Sequence, residues 1–271
     1  MAGLIHPTAQ IDPGARLASG VRVGAAAVIG AEVEIGPDCE IGPGAQVYGP
    51  TRLGRENRVF PLACVGFDPQ DLKYQGERSE LWIGDRNTVR ELATLNRGTA
   101  FGGGVTRIGD DNLFMAYSHV GHDSQVGSRT VFTNGATLAG HVEVADDATI
   151  GAMSAVHQFC RVGRHAYIGG FSVVTLDALP FARTVGQKPL CYGVNRIGLE
   201  RKGFSPEGIR EIERALRVLL RSGKNTSQAL EELRALPARG PDVDYLIGFV
   251  AESKRGVIKT RRPGSRGAAA D

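Results

Sequence analysis

Residues 23–47 read Val23-Gly-Ala-Ala-Ala-Val-Ile29-Gly-Ala-Glu-Val-Glu-Ile35-Gly-Pro-Asp-Cys-Glu-Ile41-Gly-Pro-Gly-Ala-Gln-Val47. An aliphatic returns at every sixth position. The series extends back through Leu17, Ile11 and Ile5 and forward through Leu53, Val59 and Val65. It resumes at Ile83, Val89 and Leu95. One residue out of step, it runs again from Ile108 through Val120, Val126, Leu138, Val144, Ile150, Val156, Val162, Ile168 and Val174. A period of six suits neither a helix at 3.6 nor a plain strand at 2. It marks a β-solenoid in which each hexad makes one flat side and three hexads make one coil. The spacing predicts 26 hexads, near nine coils. At roughly 4.8 Å per coil the prism is about 40 Å long.

Many of the 37 glycines follow the aliphatic directly, as at Gly30, Gly36, Gly42, Gly127, Gly151, Gly163 and Gly169. Sharp corners are expected there, because glycine takes backbone angles that other residues avoid. The position four after the aliphatic carries small residues such as Ala27, Cys39, Ala45, Ser118, Ser124, Ala136 and Ser172. Only small side chains fit there inside a narrow prism.

Two interruptions stand out. Residues 67–82 break the pattern, yet Val65 and Ile83 are 18 apart, so a loop thrown outward without loss of coil phase is expected. Residues 101–107, with Gly102-Gly103-Gly104, shift the phase by one. The repeat stops at Pro180, and Ser205-Pro206-Glu207 reads as an N-cap with proline at the first helical position. A helix follows to about Arg221, ended by Ser222-Gly223, with further helices over Ser227–Leu236 and Asp242–Lys254. The expected division is a left-handed β-helix over 1–190, an α-helical domain over 191–258 and a basic flexible tail over 259–271.

The net charge is +3 over 271 residues. From Val250 onward six basic residues face two acidic ones, which leaves −1 for the remainder. Such a body offers nothing to a nucleic acid. Cys39, Cys64, Cys160 and Cys191 show no paired spacing, so neither a disulfide framework nor a zinc motif is expected. No signal peptide precedes the repeat and no apolar run approaches ~18 residues, which argues for a cytoplasmic chain without stable membrane insertion.

The 18-residue coil locates the chemistry. With Ile108 as phase 0, His119, His122, His141 and His157 fall at phases 11, 14, 15 and 13, along one edge, whereas His165 lies on another side. His122, Gly140 and Gln158 share phase 14 and stack on successive coils, with Asp123 next to His122. Corners collect polar residues anyway, which explains one or two histidines but not four. A neutral imidazole can take a proton from an alcohol near neutral pH, and a neighbouring carboxylate fixes its tautomer. A glycine can offer an unobstructed N–H to an oxyanion. No serine or cysteine stands at phases 13–15, so direct transfer suits the row better than a covalent intermediate. One edge is half a site, which a second chain packed alongside would complete.

Several stretches on and near this edge carry a family resemblance: Asp71-Leu-Lys-Tyr, Arg97-Gly-Thr, Asp111-Asn-Leu, His119-Val-Gly-His-Asp123, Asn134-Gly-Ala-Thr-Leu-Ala-Gly-His141, Ala155-Val-His-Gln-Phe-Cys160 and Gly193-Val-Asn195. Over residues 1 to about 258 the chain resembles the UDP-N-acetylglucosamine 3-O-acyltransferases, which use acyl carrier protein and begin lipid A synthesis. The resemblance implies a left-handed parallel β-helix, a homotrimer and a site between subunits. It implies His122 as general base toward the sugar 3-hydroxyl, Asp123 as its orienting group and the Gly140 N–H as oxyanion donor. Asp71, Lys73, His119, His141, His157 and Gln158 match residues that line the site. Asn195, Arg201 and Lys202 match the region that meets the nucleotide, and Gly170 matches a position that faces the acyl-chain groove in the family. The resemblance further implies a (R)-3-hydroxyacyl donor on the phosphopantetheine of acyl carrier protein, with no other cofactor and no metal. Asn96 and Lys188 depart from the family's usual histidines, which leaves open whether the acceptor is the N-acetyl sugar or its 3-amino analogue.

Alternatives are an acetyl-CoA-dependent hexapeptide acetyltransferase, a zinc enzyme of the γ-carbonic-anhydrase type, and a purely structural solenoid. The later N-acyltransferase of the same pathway carries an extra N-terminal domain, for which a repeat starting at Ile5 leaves no room. Acyl carrier proteins are acidic, so Arg210, Arg214, Arg217 and Arg221 are candidate docking residues.

Overall fold

The computed structural model describes residues 5–221 and 224–260. Short strands stack into three sheets that form the sides of a prism, all parallel except for one terminal strand of the third. The first side has nine strands, from Gln10–Ile11 to Val173–Val174. The second has eight, from Arg16–Leu17 to Arg161–Val162, and the third has ten, beginning at Arg22–Val23. The fold is a left-handed parallel β-helix followed by a small helical part. Along each strand the periodic aliphatic points inward and its predecessor outward, as in Glu40 and Ile41. Phe114 and Phe132 fill the two places where the aliphatic series lapses. Both are fully buried, with ring centroids 4.9 Å apart.

Glycine does not make the corners in the way expected. The left-handed residue stands three places after the aliphatic and is usually not glycine: Glu32 (φ 55°), Asp38 (58°), Asp123 (61°), His141 (60°) and Phe159 (62°). The glycine directly after the aliphatic answers to the next coil instead. A Cβ on Gly36 would stand 2.5 Å from the Gly54 carbonyl oxygen, and one on Gly151 2.5 Å from the Gly170 nitrogen. Coils at strand spacing leave no room for a methyl group there.

Coil length is also corrected. Residues 18 apart pair through most of the prism, as Gln10 with Val28 and His119 with Thr137. Across the 67–82 loop, however, Leu53 pairs with Ile83 and Val65 with Leu95, both 30 apart. The loop preserves the hexad spacing but not the coil spacing, so Val65 and Ile83 lie on different sides. At the second interruption Ile83 pairs with Ile108 and Leu95 with Val120, 25 apart, which is seven residues more than a regular coil.

Where the inner corner position is asparagine, its side chain pairs along the stack. The Asn87 N–H donates to Asn57 Oδ1 and the Asn112 N–H to Asn87 Oδ1, both at 2.9 Å, so these buried amides are satisfied. The four cysteines are free. Burial pushes the Cys160 and Cys191 thiols up to about 11, which makes them packing groups.

The prism does not end in a plain connector. Ala182–Val185 continues the third side and pairs antiparallel with Leu190–Val194. The boundary expected at 190 therefore falls inside a strand. The helices are α1 (Arg196–Arg201), α2 (Pro206–Arg221), α3 (Thr226–Arg234) and α4 (Pro241–Ala251). Ser205 Oγ accepts the Gly208 N–H at 3.1 Å, the expected cap. α2 buries Ile209, Ile212, Ala215, Leu216 and Leu219. Ser222-Gly223 and residues 261–271, which hold most of the basic tail, lie outside the described residues. Arg161 and Arg164 clamp α4 to the prism: the Arg161 guanidinium lies 4.3 Å from the Phe249 ring centroid, and Arg164 pairs with Asp242 at 2.6 Å. Among the described residues no helix is long and apolar enough to cross a membrane.

Candidate active site

The chain turns from the first side to the second at residues 121–124, and equivalent corners follow at 139–142 and 157–160. Asp123, His141 and Phe159 take the left-handed position of three successive corners. The Asp123 side chain is wholly buried. His122 Nδ1 lies 2.8 Å from Asp123 Oδ2. Burial tends to raise the Asp123 carboxyl, but hydrogen bonds from His122 and from the Thr99 N–H and hydroxyl outweigh it and hold the group below the usual carboxylate range. An ionised carboxylate can only accept, so His122 Nδ1 carries a proton and Nε2 presents a lone pair.

The His141 ring meets His122 edge-on at 5.1 Å and is stacked on Phe159 at 4.6 Å. His141 Nε2 lies 3.7 Å from Asp123 Oδ2. Burial depresses the basicity of His141 despite the nearby Asp123 and Asp71. His119 Nδ1 is 2.7 Å from Thr94 Oγ1, and burial, then the neighbouring His122, keep this imidazole below the ordinary range. His119 and His141 are therefore biased toward neutrality near pH 7, while Asp123 stays charged.

Gly140 sits directly against the His122 ring. A Cβ there would stand 2.5 Å from His122 Cε1 and 2.6 Å from Nε2. Among the described residues no backbone acceptor meets the Gly140 N–H. His157 and Gln158 lie exposed on the following coil, with His157 Nδ1 3.1 Å from the Gln158 carbonyl oxygen.

The 67–82 loop folds back over this edge. The Lys73 N–H donates to Asp71 Oδ1 at 3.0 Å, and Lys73 Nζ lies 5.7 Å from the Phe101 ring centroid. Arg97 anchors the loop. Its guanidinium donates to the Gly49 and Gly66 carbonyls at 2.8 and 2.7 Å and pairs with Asp68. Asn96 turns its amide to the Asp68 carbonyl at 2.5 Å, so it braces the loop's first turn.

Sequence reasoning missed Thr99 and Thr106. The Thr99 N–H donates to Asp123 Oδ1 at 2.8 Å, and its hydroxyl to Oδ2 at 2.7 Å. The Asp123 N–H donates to Thr106 Oγ1 at 2.7 Å. The one available signal was Arg97-Gly-Thr99 within the resemblance, because the seven-residue excess defeats an 18-residue measure.

A single chain does not bring every expected residue together. Lys202 Nζ pairs with Asp147 Oδ1 at 2.7 Å on the edge between the second and third sides. Asn195 caps α1 by accepting the Gly198 N–H at 3.3 Å and donates to the His165 carbonyl at 3.1 Å. Arg201 ends the same helix. Gly170 is exposed on the remaining edge, between the third and first sides, and a Cβ there would meet the Ala152 carbonyl at 3.2 Å. Ligand atoms of His122, Asp123 and His141 lie within 4.8 Å of one another. An ion there would compete for the carboxylate with the hydrogen bonds that both Asp123 oxygens accept from Thr99 and His122.

The chain is 50% identical over 198 residues to the acyl-[acyl-carrier-protein]–UDP-N-acetylglucosamine O-acyltransferase of Alkalilimnicola ehrlichii, covering 73% of this chain and 77% of that one. It is 48% identical to the enzyme of the same name from Halorhodospira halophila, covering 78% and 82%. The chain belongs to this acyltransferase family. A family model described as Udp N-acetylglucosamine O-acyltransferase, domain 2, matches residues 177–258. The crystal structure of the UDP-N-acetylglucosamine O-acyltransferase from Moraxella catarrhalis superposes with a TM-score of 0.92 at 36% identity, over 94% of this chain and 100% of that one. The Francisella novicida UDP-N-acetylglucosamine acyltransferase gives 0.91 at 35%, over 94% of each chain. Hexads alone are common to many transferases. Likeness to the acyltransferases extends through the helical part, which separates the family from the shared solenoid.

Proposed function

We propose that this chain transfers a (R)-3-hydroxyacyl group from the phosphopantetheine of acyl carrier protein to the 3-hydroxyl of UDP-N-acetylglucosamine, the first step toward lipid A. The observation that carries the reading is the His122–Asp123 pair: a buried, ionised carboxylate holds Nδ1–H and leaves Nε2 free as a base. Nε2 takes the proton of the sugar hydroxyl as its oxygen attacks the thioester carbonyl. The Gly140 N–H receives the oxyanion, and collapse breaks the C–S bond. The departing thiolate takes the proton back from the imidazolium, so atoms and charge balance without a cofactor. Among the described residues His122 hydrogen-bonds to Asp123 and to no hydroxyl or thiol, which supports direct transfer.

The working unit is a homotrimer. Leu62, Leu92, Tyr117, Met153 and Phe171 form a row of corner residues between the third and first sides, each between 40% and 69% exposed. An apolar stripe of that length calls for a partner surface. Self-association sets edges of neighbouring chains against one another, and so gives the residues of different edges a common cleft. Four unpaired thiols support a cytoplasmic location.

The deciding assay offers UDP-N-acetylglucosamine with 3-hydroxyacyl carrier proteins of several chain lengths and identifies the product by mass. A 3-O-acylated sugar nucleotide is expected. A product acylated elsewhere, or none with any donor, overturns the reading.

A further inference from the structure

Asp123 has a second partner besides the base. Thr99 is 3% exposed and lies in the seven-residue excess before Val105–Ile108. Its Oγ1 accepts the Gly102 N–H at 3.1 Å. With that lone pair engaged, the single hydroxyl proton is directed at Asp123 Oδ2, 2.7 Å away. The Thr99 N–H occupies Oδ1 at 2.8 Å. A Cβ on Gly102 would stand 2.0 Å from Asp123 Cγ, so the turn is packed against the carboxylate itself. Asp123 Oδ2 has two imidazoles in reach, His122 Nδ1 at 2.8 Å and His141 Nε2 at 3.7 Å. A carboxylate free to rotate would be shared between them.

Resting on the acyl-transfer reading, we propose that Thr99 is a positioning residue that keeps Asp123 turned onto His122 and sets how strongly the carboxylate supports that base. The insert in the coil thus exists to hold the orienting acid from behind. Thr99 is buried and turns both its N–H and its hydroxyl to the carboxylate. It acts by supplying two of the three donors around the carboxylate, which fixes its plane.

The test is Thr99→Val, which keeps volume and backbone N–H but removes the hydroxyl, beside Thr99→Ser, which keeps it. Without the hydroxyl the carboxylate is free to turn toward His141, the His122 imidazolium loses part of its support, and the base survives to lower pH. Thr99→Val should therefore lower kcat by about 10-fold with KM for both substrates within about twofold, and move the acid limb of the kcat/KM profile downward by roughly half a pH unit or more. Thr99→Ser should restore rate and limb. A fall in kcat with an unmoved limb, or Thr99→Ser behaving as Thr99→Val, overturns the proposal. Should Thr99→Val not fold, Thr99→Cys, with its weaker S–H donor, must show the same sign at smaller amplitude. Nitrogen-15 NMR of the His122 ring reads the same shift without turnover. The proposal then fails separately from the acyl-transfer reading, which fails if the unaltered chain forms no acylated sugar nucleotide.

Discussion

His122 Nε2 stands 2.6 Å from the place a Cβ on Gly140 would occupy, so the proposed base and the proposed oxyanion donor share one van der Waals contact across adjacent coils. The glycine exposes an N–H and also makes room for the imidazole. Gly140 is not among the positive-φ residues, so alanine there is permitted by the backbone and refused only by the ring. Gly140→Ala should fold with a near-native circular dichroism spectrum and lose about 10²–10³-fold in kcat, because the added methyl displaces the His122 ring and crowds the N–H that alanine keeps. His122→Ala should lose roughly 10²–10⁴-fold. Because base and donor act on one transition state, the double variant should lose far less than the product of the two. Multiplying losses would show that the groups act independently.

The sequence makes the solenoid legible because a narrow prism must bury one aliphatic in every hexad. It also makes the His122, Gly140 and Gln158 column legible, since no insertion disturbs the coil between 108 and 174. What fails is any relation that crosses an insertion. Thr99 is 24 residues from Asp123, and nothing in a period of 18 pairs them. The glycines after the aliphatics are not legible for a related reason: their demand comes from the neighbouring coil, not from their own backbone angles. Asn195 and Lys202 reach a different edge through packing of the helical part, which has no counterpart in the repeat.

Acid should destabilise the fold in two stages. His119, His141 and His165 are held below the ordinary imidazole range, chiefly by burial. Below about pH 6.5 the unfolded chain therefore binds protons that the folded chain refuses, and stability falls as pH falls. Asp123 and Asp147 lie below the usual carboxylate range, where hydrogen bonds from their partners outweigh burial. Their contribution is intact above about pH 4 and is lost as pH drops through their folded values. The thermal midpoint should decline between pH 7.5 and 5, and again below 4. His165→Gln should flatten the first decline without touching the His122 edge. A midpoint that rises from pH 7.5 to 5 would contradict the assignment.

Met153 tests the apolar row. It is 57% exposed and its sulfur would lie 2.5 Å from a Cβ on Gly135, one coil away. If this edge is covered by a neighbouring chain, Met153→Asp buries an unpaired charge in the interface and should convert a trimer to monomers in sedimentation. Activity should fall with it, because edges of different chains no longer meet. An unchanged sedimentation coefficient would move the interface elsewhere.

Arg214 and Arg217 rim a groove of about 600 Å³ between α2, α3 and α4, with Val218, Leu233, Leu236 and Val243 on its walls. Arg210 and Arg217 are each partly offset by a glutamate on the same helix, Glu207 and Glu213. The field that an acidic carrier protein meets here is accordingly weaker than the arginine count implies, and Arg214 is the side chain of choice for reversal. Arg214→Glu with Arg217→Glu should raise the KM for acyl carrier protein several-fold, leave the KM for the sugar nucleotide unchanged, and flatten the dependence of donor KM on ionic strength, since steering between opposite charges is what salt screens. An equal rise in both KM values would point to a disturbed fold. No change in either would place the carrier protein on another surface.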